Sequence, residues 1–69
     1  MHRYLVIIEK AKRNYSAYSP DLPGCVATGA TIKQVQKNMR AAIALHLQGL
    51  KEDHLAIPEP TSLAEYIAV

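Results

Sequence analysis

The 69-residue chain has one cysteine, no phenylalanine or tryptophan, and no apolar run longer than five residues. A single cysteine cannot close an intramolecular disulfide, so nothing in it points to an oxidising compartment. The longest β-type run, YLVII at residues 4–8, is followed at once by charge. It is too short for the core of a signal peptide and far too short to cross a bilayer. A cytoplasmic protein without membrane contact is expected. Repeats and low-complexity segments are also lacking. The length allows one domain, residues 1–69, with a core small enough that a partner surface would supplement it.

Catalytic constellations are scarce as well. The six carboxylates are Glu9, Asp21, Glu52, Asp53, Glu59 and Glu65. None lies within YLVII, whereas two-metal hydrolysis needs several acids converging from a central strand and its neighbours. The three histidines include no pair at i, i+4, which argues against a metal site. His46 falls inside an apolar stripe and reads as a buried neutral side chain, while His2 and His54 fall in polar, mobile surroundings. No metal, cofactor or enzymatic activity is expected. Cys25 has no cation or imidazole placed locally to lower its pKa, and free cysteine is among the most buried residue types. A structural thiol is the stronger reading.

What is present reads as a small α+β domain. Residues 4–8 form a continuous β-branched and aromatic run, expected at the centre of a sheet. Residues 9–14, EKAKRN, make a polar hairpin tip. NYSAYS follows as a second strand, with Tyr15 and Ala17 on one face and Ser16 and Tyr18 on the other. Pro20 ends that ladder, because it has no N–H to donate. Pro23-Gly24 signals a turn, and residues 25–28, CVAT, form a third short strand.

Thr31-Ile-Lys-Gln34 has the spacing of a capping box. After it, Ile32, Val35, Met39, Ala42, Ile43, Leu47 and Leu50 recur on one face of an amphipathic helix. Residues 55–61, LAIPEPT, must be extended because of their two prolines. The tail LAEYIAV, residues 63–69, reads as a closing strand, the alternative being a last helical turn capped by Ser62. The order is β-β-β-α-β, a small antiparallel sheet with one helix packed on it.

The charge balance is +2 at neutral pH. Lys33, Lys37 and Arg40 recur on the helix face opposite the core. They could follow phosphates, but a solvated face has the same pattern. No recognition-helix or RNP-like aromatic pattern accompanies them, so no specific DNA binding is expected.

YSAYSPDLPGCVATGAT, the capped helix ending AIALHLQGLKED, and then IPEPTS together resemble the HicB-like antitoxin family, in order from about Tyr4 to Ser62. The resemblance implies a truncated ribonuclease H-like sheet without nuclease acids. It also implies an antitoxin that binds and sterically blocks a HicA-type toxin, a ribonuclease that cleaves messenger RNA. The alternative is a self-assembling protein of the same fold without a toxin; a homo-oligomer is expected either way. Many members carry a C-terminal DNA-binding domain; this chain, ending at Val69, is expected to lack one. A net positive charge also departs from the acidic antitoxin that would suit a basic toxin.

The loop SPDLPGC reads in two ways. It is either a preorganised contact with Tyr18, Asp21 and Leu22 exposed toward a partner, or a connector in which Asp21 accepts turn amides.

Overall fold

The computed structural model describes residues 2–69. Three short antiparallel strands are followed by one long helix: β1, Ile7–Lys10; β2, Tyr15–Tyr18; β3, Val26–Gly29; and α1, Ile32–Glu52. The strands lie in the order β1-β2-β3. Ile7 pairs with Tyr18 and Lys10 with Tyr15 across the first hairpin. Tyr15 pairs with Gly29 and Tyr18 with Val26 across the second.

The sheet corrects one expectation. The apolar run at residues 4–8 is an edge, and the central strand is β2. The run suggested burial on both faces, but in a three-stranded meander the middle strand in sequence is also the middle strand in space. Only Ile7 and Ile8 of the run pair with β2. Pro20 and the turn after it end β2 at Tyr18, so residues 4–6 have no opposite number on that side.

Helix α1 starts where the capping pattern predicts. Thr31 is extended, and its hydroxyl oxygen accepts from the Gln34 amide at 3.0 Å. The reciprocal half of the box is not formed, since the Gln34 side chain turns instead to Asn38, at 3.4 Å. Asn38 in turn donates to the Thr28 carbonyl at 2.7 Å and ties the helix to β3. Gly29 makes that approach possible. A Cβ there would lie 2.5 Å from the backbone nitrogen of Val35, well inside contact distance. The helix therefore begins directly against the end of β3.

Among the described residues Ala17, Leu22, Cys25, Val35 and Met39 form the buried hydrophobic core. The rest of the helical stripe (Ala42, Ile43, Leu47 and Leu50) is half-buried, and Ile32 is exposed. His46 is half-buried and outside the core, so its placement among buried residues does not hold.

The helix ends in a left-handed cap. His54 has φ 57°, its N–H bonds to the Lys51 carbonyl, and the Leu55 N–H bonds to the Leu50 carbonyl at 2.8 Å. This is the paired hydrogen-bond pattern of a Schellman cap. His54 is thus part of a defined cap and not of a mobile segment.

The closing strand is absent from the sheet. Residues 63–69 form no ladder, and every one of them is exposed. The alternative helical turn is absent as well. The composition favours a strand, but a strand needs a partner edge, and the tail reaches none.

Candidate functional site

The loop after β2 is two turns in succession. The Leu22 N–H bonds to the Ser19 carbonyl at 3.1 Å, and the Cys25 N–H to the Leu22 carbonyl at 3.0 Å. Pro23 and Gly24 occupy the central positions of the second turn, and Gly24 has φ 81°, the left-handed value the Pro-Gly pair prescribes. The turns direct Leu22 and Cys25 inward.

That geometry overturns the exposed placement of Leu22. Its side chain is 0% exposed, and with Val35 and Met39 it is among the largest fully buried side chains of the described residues. Leu22 anchors the loop from beneath and offers no surface to a partner. Cys25 is buried beside it, and desolvation pushes its thiol upward, away from the reactive thiolate.

Asp21 is half-buried and already engaged. Its carboxylate accepts from the Ser62 hydroxyl at 2.9 Å, from the Ser62 amide at 3.2 Å and from the Thr61 hydroxyl at 3.2 Å. Desolvation works to raise its pKa, but these hydrogen bonds outweigh it and hold the carboxyl below its ordinary value. Its function inside the chain is to clamp the segment after the helix. The Tyr4 hydroxyl donates to the Pro58 carbonyl on the same segment. Desolvation, then the Glu59 and Asp21 carboxylates, push the Tyr4 phenol up, so it stays a donor. His2 stacks on Tyr4 with ring centres 5.8 Å apart and lies 3.8 Å from the Glu59 carboxylate.

Tyr18 is where the sequence put it, on the sheet face opposite Ala17. It is 39% exposed. Ile7 and Val26 flank it as direct partners on β1 and β3. Alternation places all three on one face, and the helix covers the other, which holds Ile8, Ala17 and Ala27. The result is an apolar row, Ile7–Tyr18–Val26, across the middle of the sheet, with Ile7 half-buried and Val26 64% exposed. Ile7 and Val26 were missed in the sequence because their parity depends on register, which only the two hairpins fix. Tyr18 alone could be assigned, from its neighbour Ala17.

The cations of the helix line a separate, shallow surface with Lys33, Lys37 and Arg40. Among the described residues no group of three His, Cys, Asp or Glu side chains comes together as a metal site. No helix among them is long and apolar enough to cross a membrane.

Residues 4–69 match the family described as HicB-like antitoxin of bacterial toxin-antitoxin system. The chain is similar to a 14.9 kDa protein of the rep-hol intergenic region in Haemophilus phage HP1, at 34% identity over 93% of this chain. The chain spans 48% of that phage protein, about half its length. It is also 37% identical to a UPF0150 protein of Thermoplasma acidophilum, over 97% of this chain and 96% of that one. Among solved structures it resembles a chain of a HicA3 and HicB3 toxin-antitoxin complex. There the TM-score is 0.73 and the identity 30%, covering 86% of this chain and 69% of that one.

Proposed function

The chain belongs to the HicB-like antitoxin family, and on that premise we propose that it binds a HicA-type mRNA-cleaving toxin and blocks it by covering its surface. One observation carries the reading: 86% of this chain superimposes on a chain of a toxin-antitoxin complex at 30% identity. The mechanism is steric and non-enzymatic. A chain of this size has few surfaces to offer, and its geometry favours the sheet face over the helix.

The helix turns its apolar stripe inward and Lys33, Lys37 and Arg40 outward, which suits a basic ribonuclease poorly. The opposite sheet face presents Tyr18 between Ile7 and Val26; by alternation Lys10 turns to the other face, and Glu9 lies at the edge of this one. Tyrosine concentrates binding energy when apolar neighbours exclude water around it. Tyr18 is the proposed anchor, Asp21 borders it as the clamp of the neighbouring segment, and Leu22 supports both from the core.

The test is co-expression of the chain with a HicA-type toxin. Growth should be rescued and the two proteins should co-purify. Toxicity that persists when the antitoxin is soluble and abundant refutes the reading.

A further inference from the structure

Charge is unevenly placed in this fold. In the hairpin register Lys10, Tyr15 and Gly29 stand opposite one another, so the hairpin tip and the end of β3 share one end of the sheet. Helix α1 starts at that end, because it follows β3 directly. Lys10, Lys12, Arg13 and Lys33 gather there, and Lys37 and Arg40 carry the charge about 10 Å along the helix. Together these are six of the eight Lys and Arg residues, and all six are exposed. Glu9 is the one carboxylate near them, and alternation turns it to the sheet face opposite Lys10 and the helix. The other five acids lie in the β2–β3 loop or from the last residue of the helix onward.

The helix itself does not offset these charges. A solvated helix face ordinarily mixes signs, so that a lysine meets a carboxylate three or four residues away. From Ile32 to Lys51 there is no acid at all. Lys33 and Lys37, at i and i+4, repel one another. The ion pair among the described residues, His2 with Glu59, involves none of the six cations. Only an anion from outside the chain would relieve that repulsion.

Beside the cations lies an open groove of about 500 Å³, within the size range of small-molecule sites. Val6 and Ile8 on the β1 side and Met39 and Ile43 on the helix make it apolar, with Gln36 and Arg40 also on the helix wall. The same Gln36 and Arg40 line the shallow cationic surface together with Lys33 and Lys37. The two hollows therefore join at these two side chains. The far end of the groove is closed to an anion, since His2 there faces Glu59 and Tyr4 is held by Pro58. An apolar slot that opens onto a line of unpaired cations fits a flat base joined to a phosphate chain. At the join, the Arg40 guanidinium can stack on a base or pair with a phosphate, and Gln36 can hydrogen-bond a base edge.

We propose that this end of the molecule binds single-stranded nucleic acid without sequence preference. Phosphates follow Lys33, Lys37 and Arg40, and one unstacked base enters the groove between Ile8 and Ile43. Lys10, Lys12 and Arg13 at the hairpin tip lengthen the track. The surface is separate from the sheet face assigned to the toxin, so the two readings stand or fall independently.

Fluorescence anisotropy with labelled oligo-uridylate and oligo-deoxythymidylate of about twelve nucleotides tests it. Binding of either one supports the site, and the tighter of the two names the sugar it serves. With three phosphates neutralised, affinity should fall about twentyfold between roughly 50 and 200 mM salt. Lys37→Glu should weaken binding about tenfold at the lower salt. Its fold is kept, because a carboxylate at that exposed position meets Lys33 at i, i+4. Lys51→Glu makes the same charge change at the other end of the helix and should cost less than about threefold. A duplex of the same length should bind more weakly, because its stacked bases cannot enter the groove. The proposal is overturned by an absence of binding at about 50 mM salt, by equal losses in Lys37→Glu and Lys51→Glu, or by a duplex that binds as tightly. It is also overturned if poly-glutamate displaces the oligonucleotide as well as an unlabelled strand does, which would assign the cations to an acidic protein.

Discussion

His54 combines a β-carbon with a left-handed backbone, at φ 57°. Only glycine adopts that region without cost; an ordinary residue loses about 1 kcal/mol there. The cap it closes is otherwise complete, with both reciprocal hydrogen bonds made. His54 makes no hydrogen bond through its side chain among the described residues, so the imidazole returns nothing for the strain. His54→Gly should therefore stabilise the chain by about 1 kcal/mol, raising Tm by roughly 4–8 °C for a domain of this size. Thermal unfolding measures it directly. An unchanged or lowered Tm means the unfolded-state entropy of glycine cancels the relief.

At the scale of elements, the clamp at Asp21 is the most sensitive join, because one carboxylate holds a segment forty residues away in sequence. The sign of its pH dependence follows from its depressed pKa. The stabilisation is fully present above the ordinary aspartate value, about 3.9, and is lost as pH falls through the folded value. The protection of the Ser62 amide, relative to its intrinsic exchange rate at each pH, should thus be high at neutral pH and fall as the pH drops below the ordinary aspartate range. Asp21→Asn should remove that pH dependence and leave the segment loose throughout. A protection factor at Ser62 that is flat in pH would show that the clamp does not hold it.

The same elements show what a sequence carries. The helix was legible from Thr31 to its stripe, and the Pro23-Gly24 turn from two residues, because both depend on local backbone preference. The central position given to YLVII failed because the apolar run described edge residues that pack against only part of a helix. Leu22 was read as exposed between two prolines. Its burial follows from two consecutive turns, whose combined direction no residue type encodes. Tyr18 was legible by alternation against Ala17, but Ile7 and Val26 were not, since cross-strand partners appear only with register. The tail kept its strand composition without a strand, because composition does not supply the partner edge that a strand needs.

At the scale of the whole molecule, the helix and the bare sheet face make opposite predictions for the toxin. The helix face carries Lys33, Lys37 and Arg40 over a shallow surface, all exposed. The sheet face carries Ile7, Tyr18 and Val26 with almost no charge. If the toxin is covered by the sheet, Tyr18→Ala removes the central anchor and should weaken binding by about 2 kcal/mol, roughly thirtyfold. The fold should survive, since Tyr18 lies outside the buried core. Lys37→Glu reverses a charge on the far side and should change binding less than about threefold. Titration of the purified toxin into each variant measures both, and rescue of growth reports them in the cell. Asp21→Lys is the weaker variant for this purpose, because it breaks the clamp on Ser62 along with any contact. A Lys37→Glu variant that loses the toxin, beside a Tyr18→Ala variant that keeps it, would move the binding surface to the helix. The cations would then be contacts rather than a solvated face, and the charge mismatch with a basic partner would have to be offset by acidic groups on the toxin.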